Sequence, residues 1–316
     1  MVEFENTSSW EVYFATVGGV ANWGRNVVFA FNSGWEYDCP NENKRHFIDG
    51  SKAGGSGDGD EKSGGGGGDP HFQRWGREHS SFHGECDLVM THSDSFHNNA
   101  GLDLHVRTKI DTYFCYIETA ALRIGDDILQ FHRENVIFNG VALSVPDLPF
   151  TFGDNFKYTV KEGQVEAGKN VNFYQYFQVS LHGDSSILFK FYKKYLTIDI
   201  KGHTNDFAGS SGLLGDYHTG EMIGRGGQLF NDFKSFGFEW QVNQDDPVIF
   251  AVDRSPQLPY ERCRMPTMPR PSRRKLRGKD SALMQSAKDA CIAASDVDLC
   301  LEDVLMTGDL GIAGLW

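Results

Sequence analysis

The chain is predicted to be mainly β: an antiparallel sandwich or barrel-like domain followed by a small C-terminal pair of α-helices. Three observations carry that prediction. Apolar and polar residues alternate with period two in short runs between Phe72 and Gln244. Gly, Asn and Asp clusters punctuate those runs, and a helical period takes over only after Asp280. Composition agrees, since 24 Phe and 11 Tyr among 316 residues favour a pleated, half-buried surface over a helix bundle.

Residues 1–53 are aromatic and β-leaning, with strands expected over Trp10–Val17 and Val27–Phe31. So short a segment is marginal as an independent fold, and reads either as the end of a truncated β-domain or as strands that dock on the main β domain. Asn6-Thr7-Ser8 matches a glycosylation acceptor, a pattern short enough to arise by chance. Residues 54–67 are Gly/Ser/Asp-rich with almost no side chain to pack, and read as a flexible linker spanning about 20 Å. The main β domain is expected over 68–245.

Within it, Leu102, Leu104 and Val106 alternate with Asp103, His105 and Arg107. Phe177, Val179 and Leu181 alternate with Gln178, Ser180 and His182, and Leu196, Ile198 and Ile200 with Thr197, Asp199 and Lys201. Each reads as a strand with one wet face, so His105 is expected on the surface. Shorter runs (Tyr113–Ile117, Ala120–Ile124, Ile128–His132, Val136–Phe138, Ile187–Tyr192) are separated by Gly125-Asp126-Asp127, Asn139-Gly140 and Gly183-Asp184, which accept positive φ cheaply.

Residues 246–279 form a Pro/Arg-rich linker, with a basic cluster over Arg270–Arg277. In the tail, 280–316, Leu283, Ala287, Ala290, Cys291 and Ala294 share one helical face, capped by Asp280 or Ser281. Val297, Cys300, Leu301, Val304 and Leu305 share another, ending at Gly308. Cys291 and Cys300 thus face inward on two short helices, a placement that favours a disulfide.

The net charge of −13 argues against a general nucleic-acid binder. Only 261–280 dissents, with eight basic residues against two acids. It reads as a solvated linker, with an anionic-surface site over Arg262–Lys279 as the rival. No apolar run approaches the roughly 18 residues of a membrane helix. The start, Met1-Val2-Glu3-Phe4-Glu5, carries no signal peptide, so either the protein is intracellular or this N-terminus is not the native one. Six cysteines without metal-type spacing argue against structural zinc.

One stretch carries a family pattern: Gly68, Asp69, Pro70, His71 and Phe72, then Trp75, Phe82, Gly84 and Cys86. It resembles the opening of the von Willebrand factor type D domain. The later signature of that family is similar to Gly212-Leu213-Leu214-Gly215-Asp216-Tyr217-His218-Thr219-Gly220, and its closing motif to Phe236-Gly237-Phe238-Glu239-Trp240. The resemblance covers roughly Gly68–Asn243. The tail, with Cys291 and Cys300-x-x-Asp303-Val304-x-x-Thr307-Gly308-Asp309, is similar to a cysteine-containing helical segment that often follows such domains.

The resemblance implies a type D fold and an extracellular or cell-surface, non-enzymatic module. Its work would be association with other extracellular proteins, glycans or copies of itself. It also implies a disulfide from Cys86, but the family's usual partner is Leu214 here, which leaves Cys263 and Cys115 both open. Calcium is implied at the 216–221 loop, with Asp216 and Glu221 as weak ligands, because His218 replaces an oxygen donor and a soft imidazole suits a hard cation poorly. A polar loop without metal is the favoured expectation.

Two chemical readings compete with the structural one. Asp69–Pro70 is an acid-labile type of bond, and some type D domains cleave themselves at a similar site, with Asp69 as nucleophile and His71 orienting or protonating. The bland alternative, that Pro70 fixes the start of a strand and His71 bonds locally, is preferred. A hydrolase would draw on the His/Asp-rich region Asp69–His105. However, His79-x-x-x-His83 lies in a strand-rich context without a metalloprotease Glu, and Gly209-Ser210-Ser211-Gly212 is not a nucleophile elbow.

Overall fold

A computed structural model of the chain describes residues 61–77, 79–154, 157–166, 173–181, 185–252, 262–268 and 281–316. The expected N-terminal strands, Asn6, Cys39, the Gly183-Asp184 turn and the Arg270–Arg277 cluster lie outside the described residues.

The fold is mainly β. The strands are β1 (Glu61–Gly67), β2 (His71–Gln73), β3 (His79–Ser81), β4 (Asp87–Ser93), β5 (Leu102–Asp111), β6 (Phe114–Ile124) and β7 (Asp127–Phe131). They continue as β8 (Val136–Phe138), β9 (Val141–Leu143), β10 (Phe150–Phe152), β11 (Tyr158–Glu166), β12 (Phe173–Ser180), β13 (Ser186–Tyr192) and β14 (Tyr195–His203). One sheet runs β10-β11-β12-β13-β14-β1-β2-β3 and the other β4-β5-β6-β7-β8-β9, and every pairing is antiparallel. The inner faces make one core, with Leu88, Leu104, Leu122 and Phe131 from one sheet meeting Val160, Phe177, Phe189 and Ile198 from the other. Phe131 stacks on Phe189 at 3.8 Å between centroids, tying the two layers together.

Period two places the strands well. Ile198 and Ile200 of β14 are buried while Asp199 and Lys201 are exposed, and the Asn139-Gly140 turn uses positive φ at both residues. Phe114–Ile117 and Ala120–Ile124 prove to belong to one strand, with Tyr113 in the turn before it. Its pairing with β5 passes from Thr119 opposite Arg107 to Ile117 opposite Thr108, so Glu118 is a bulge that resets the alternation.

Two expectations are corrected. The linker of 54–67 is wrong where it is described: Glu61–Gly67 is an interior strand between β14 and β2, so the β domain begins before Gly68. The glycines serve close approach. A Cβ on Gly65 would lie 2.3 Å from the Ile198 carbonyl oxygen, and one on Gly67 2.3 Å from Thr197 Oγ1. Nor does the Leu102–Val106 part of β5 have a wet face, since Asp103 and His105 are as buried as Leu104. The segment after Trp240 accounts for it: Val242 N–H bonds Asp87 O at 2.9 Å, Ile249 and Phe250 pack with Ala121 and Ile128, and the Arg107 guanidinium lies over the Phe250 ring. The expected exposed linker of 246–279 is therefore anchored in part, through Ile249, Phe250 and the buried Cys263.

The tail forms helices over Ser281–Ala290 and Val297–Thr307, then a 3-10 turn over Leu310–Leu315. Asp296 caps the second helix by accepting from Leu299 N–H, and Gly308 ends it at φ 71°. Ala287, Cys291, Cys300 and Val304 make a small core of their own, and a Cys291–Cys300 disulfide closes it.

Candidate functional site

Gly68-Asp69-Pro70 is the three-residue turn that joins β1 to β2, because Gly67 already pairs with His71. Unlike most hairpin tips it is buried, with Asp69 at 2% exposure and His71 at 1%. The second tail helix covers it. Asp303 Oδ1 accepts the Asp69 backbone N–H at 3.2 Å and lies 3.3 Å from His71 Nε2, while Oδ2 accepts from Trp316 Nε1 at 2.9 Å. Gly68 has φ +61°, and a Cβ there would collide with Asp303 Oδ2, so glycine is required twice over.

The Asp69 carboxylate faces the other sheet. Its Oδ1 accepts the Cys115 N–H at 3.2 Å and lies 3.0 Å from His83 Nδ1. His71 Nδ1 pairs with Ser81 Oγ at 2.6 Å, and Phe82 N–H bonds Pro70 O at 3.1 Å. The Cys115 thiol is buried and donates to His83 O at 3.1 Å. Burial pushes the Asp303 carboxyl above the usual range, against the pull of His71 and of the Trp316 N–H. Burial likewise lowers His79, which lies 3.7 Å from Asp296 and packs edge-on against Trp316.

This arrangement puts a buried carboxylate, Asp69, next to its own peptide bond to Pro70, and a second carboxyl group, Asp303, on the amide side of the same residue. His71 is on the site, as expected. His83 comes from the His/Asp-rich region that the hydrolase reading drew on, and Asp303, Trp316 and Cys115 are the unforeseen members. The sequence marked Asp303 only as part of a tail pattern, and no local signal could place a residue 234 positions away on the Asp69 amide.

The other expected histidine sites do not assemble. His79 lies in β3 and His83 beyond it, so their spacing is not helical. His105 is buried, which corrects the surface expectation, and burial drives its pKa down to about 4. A separate network runs from Tyr158 through His97 to Asp206 and Ser185. There His97 Nε2 lies 2.7 Å from Asp206 while Ser185 holds the other carboxylate oxygen. Serine and imidazole sit on opposite sides of the acid, which is not the order that nucleophilic catalysis uses.

Cys86 is bonded to Cys263, so Cys115 is not its partner. Arg264 extends the link, exchanging backbone hydrogen bonds with Glu85 and lying 2.7 Å from its carboxylate. Leu214, where the family pattern has cysteine, is fully buried, and its carbonyl accepts the Trp75 N–H. The three signatures therefore pack on one another: Trp75 against Tyr217, and Phe82 against Phe238 at 5.3 Å, with Gly237 leaving room for the Phe82 ring.

The 216–221 loop fits calcium poorly. Asp216 Oδ1 is turned inward and accepts from Thr219 N–H at 2.7 Å and Thr219 Oγ1 at 2.9 Å, while Glu221 is exposed. Among the described residues, no three His, Cys, Asp or Glu side chains converge as metal ligands do. No protein-family model matches the chain, and no curated protein matches it significantly.

Proposed function

We propose that the chain is a divergent type D module, extracellular or on a cell surface, that works by association with proteins, glycans or further copies of itself rather than by catalysis on a substrate. The observation that carries this reading is the use of two disulfides, Cys86–Cys263 and Cys291–Cys300. Such bonds persist in oxidising compartments and are rare in the cytosol. The placement of His71, a residue nominated for chemistry, supports it too, because it lies with Asp303 and Trp316 in the clasp that joins the tail to the sandwich. Among the described residues, no helix is long and apolar enough to cross a membrane.

The test is to recover the protein from its source, map its disulfides by mass spectrometry and locate it. Protein in the medium or cell coat with both bonds formed, which self-associates on sedimentation or binds a glycan array, is the expected result. A cytosolic protein with all thiols reduced overturns the reading.

A second reading, self-cleavage at Asp69–Pro70, is favoured by the buried Asp69 carboxylate beside that peptide, with Asp303 holding the amide side of the same residue. The Asp69 carboxylate would attack its own carbonyl carbon and close a cyclic anhydride. The bond to the Pro70 nitrogen would break as that nitrogen takes a proton, with His71 or Asp303 as the source. Water would then open the anhydride. Incubation near pH 5.5 should release a fragment ending at Asp69, and Asp69→Asn should stay whole; a wild-type chain intact over days removes this reading.

A further inference from the structure

Within the 216–221 loop, the carbonyl oxygens of residues 217–220 are already engaged with positive charge. Lys62 Nζ donates to Tyr217 O at 2.9 Å and to His218 O at 2.6 Å. Arg77 Nε donates to Thr219 O at 2.8 Å, and Arg74 donates to Gly220 O. Four consecutive carbonyls therefore face three cationic side chains. Lys62 Nζ also lies 5.3 Å from the centroid of the Tyr217 ring, a cation–π distance.

We propose that the Lys62 ammonium is the resident cation of this loop, standing where a divalent ion would otherwise gather the carbonyls, so that the loop keeps its shape without calcium. A calcium ion needs six to eight oxygens. Here the main-chain oxygens of 217–220 are spent on cationic N–H donors, and one oxygen of the Asp216 carboxylate, Oδ1, accepts two hydrogen bonds from Thr219. A divalent ion would also enter beside the three positive charges of Lys62, Arg74 and Arg77.

The glycine strand sets up the arrangement. Lys62 pairs with Gly202 in the β1–β14 ladder, and the Tyr217 hydroxyl donates to Gly202 O at 2.7 Å. Strand and loop are thus anchored to the same residue, which holds Lys62 in reach of the loop carbonyls.

The experiment compares thermal unfolding of the full chain in EDTA and in about 5 mM calcium, above the millimolar constants of weak extracellular sites. The expected result is no shift in Tm, and a calcium-dependent rise overturns the proposal. In parallel, hydrogen exchange is followed in Lys62→Met and Lys62→Arg. The amides of residues 217–221 should exchange about tenfold faster or more in the Met variant, and stay near wild type in the Arg variant, which keeps the charge and the donors. Equal exchange in wild type and Lys62→Met would also overturn it. If Lys62→Met does not fold, the Arg variant and the calcium comparison still decide the question.

Discussion

Asp303 Oδ1 accepts the backbone N–H of Asp69 at 3.2 Å, so the tail holds in place the Gly68–Asp69 peptide, one residue before Pro70. The same carboxyl group meets His71 and Trp316 and is itself 2% exposed. Removing it strands three groups at once. Asp303→Ala is expected to lose about 3 kcal/mol of stability, the upper end of the cost of leaving a buried hydrogen-bonding group unsatisfied, measured by urea denaturation. Asp303→Asn, which keeps an acceptor for the Asp69 amide, should lose less. Stability equal to wild type in the Ala variant would show that the clasp carries no energy.

His105 gives the fold a pH dependence of definite sign. It is fully buried on β5, and burial holds its pKa at about 4 against an ordinary value of 6.5. Below pH 6.5 the unfolded chain takes up a proton that the folded chain refuses until about pH 4. Stability therefore falls as pH drops through that window. Between pH 7 and 4.5 this one group should remove about 2.5 kcal/mol. Denaturation midpoints at the two pH values would measure it, and His105→Gln should flatten the difference; an unchanged slope in that variant would assign the acid sensitivity elsewhere.

His105 also marks the boundary of what alternation can tell. Leu102–Arg107 reads correctly as a strand, and Leu104 and Val106 do face the core. What covers the opposite face is a segment some 140 residues downstream, around Ile249 and Phe250. Period two reports one apolar face and is silent about a later segment laid over the polar one. The ion pairs are the trace it leaves: Asp87 with Arg107 and Asp103 with Arg123 let charge be buried there. The same limit explains the site. Asp69 and His71 stood out in a local pattern, whereas Asp303 and Trp316 reach them only through tertiary docking. The two tail helices were legible because their cysteines, the inward Ala287 and Val304 and the closing Gly308 are all local signals, although Ala290 of the expected stripe is exposed and Asp280 lies outside the described residues.

β1 failed to register for a different reason. Glycine is depleted in strands because it offers nothing to pack and costs entropy, so a glycine run reads as a linker. Here the missing side chains are the requirement, with Gly65 facing the Ile198 carbonyl at a distance no Cβ tolerates. Gly65→Ala should cost about 2 kcal/mol through forced backbone separation. Ser63→Ala, on the same strand, should cost less than about 0.5 kcal/mol. Thermal unfolding of the two variants separates a strand from a linker, since a linker would tolerate both changes equally.

The two disulfides should differ in scope as well as size. Cys86–Cys263 closes a loop of 177 positions and Cys291–Cys300 one of 9. On chain entropy, the first is worth about 5 kcal/mol and the second about 2.5 kcal/mol. The first joins the core of the sandwich to the 262–264 segment, so replacing both its cysteines with alanine should lower global stability and speed exchange throughout the sheets. The second lies within the tail core, so Cys291→Ala with Cys300→Ala should loosen the helices and, through Asp303, the Asp69 amide, while β5 and β6 keep their protection. Cys115 offers an internal gauge: its buried thiol should resist alkylation in the folded protein and in the tail variant, and react once the sandwich opens. Alkylation of Cys115 in the tail variant, together with lost exchange protection in β5 and β6, would show that the tail disulfide supports the whole fold.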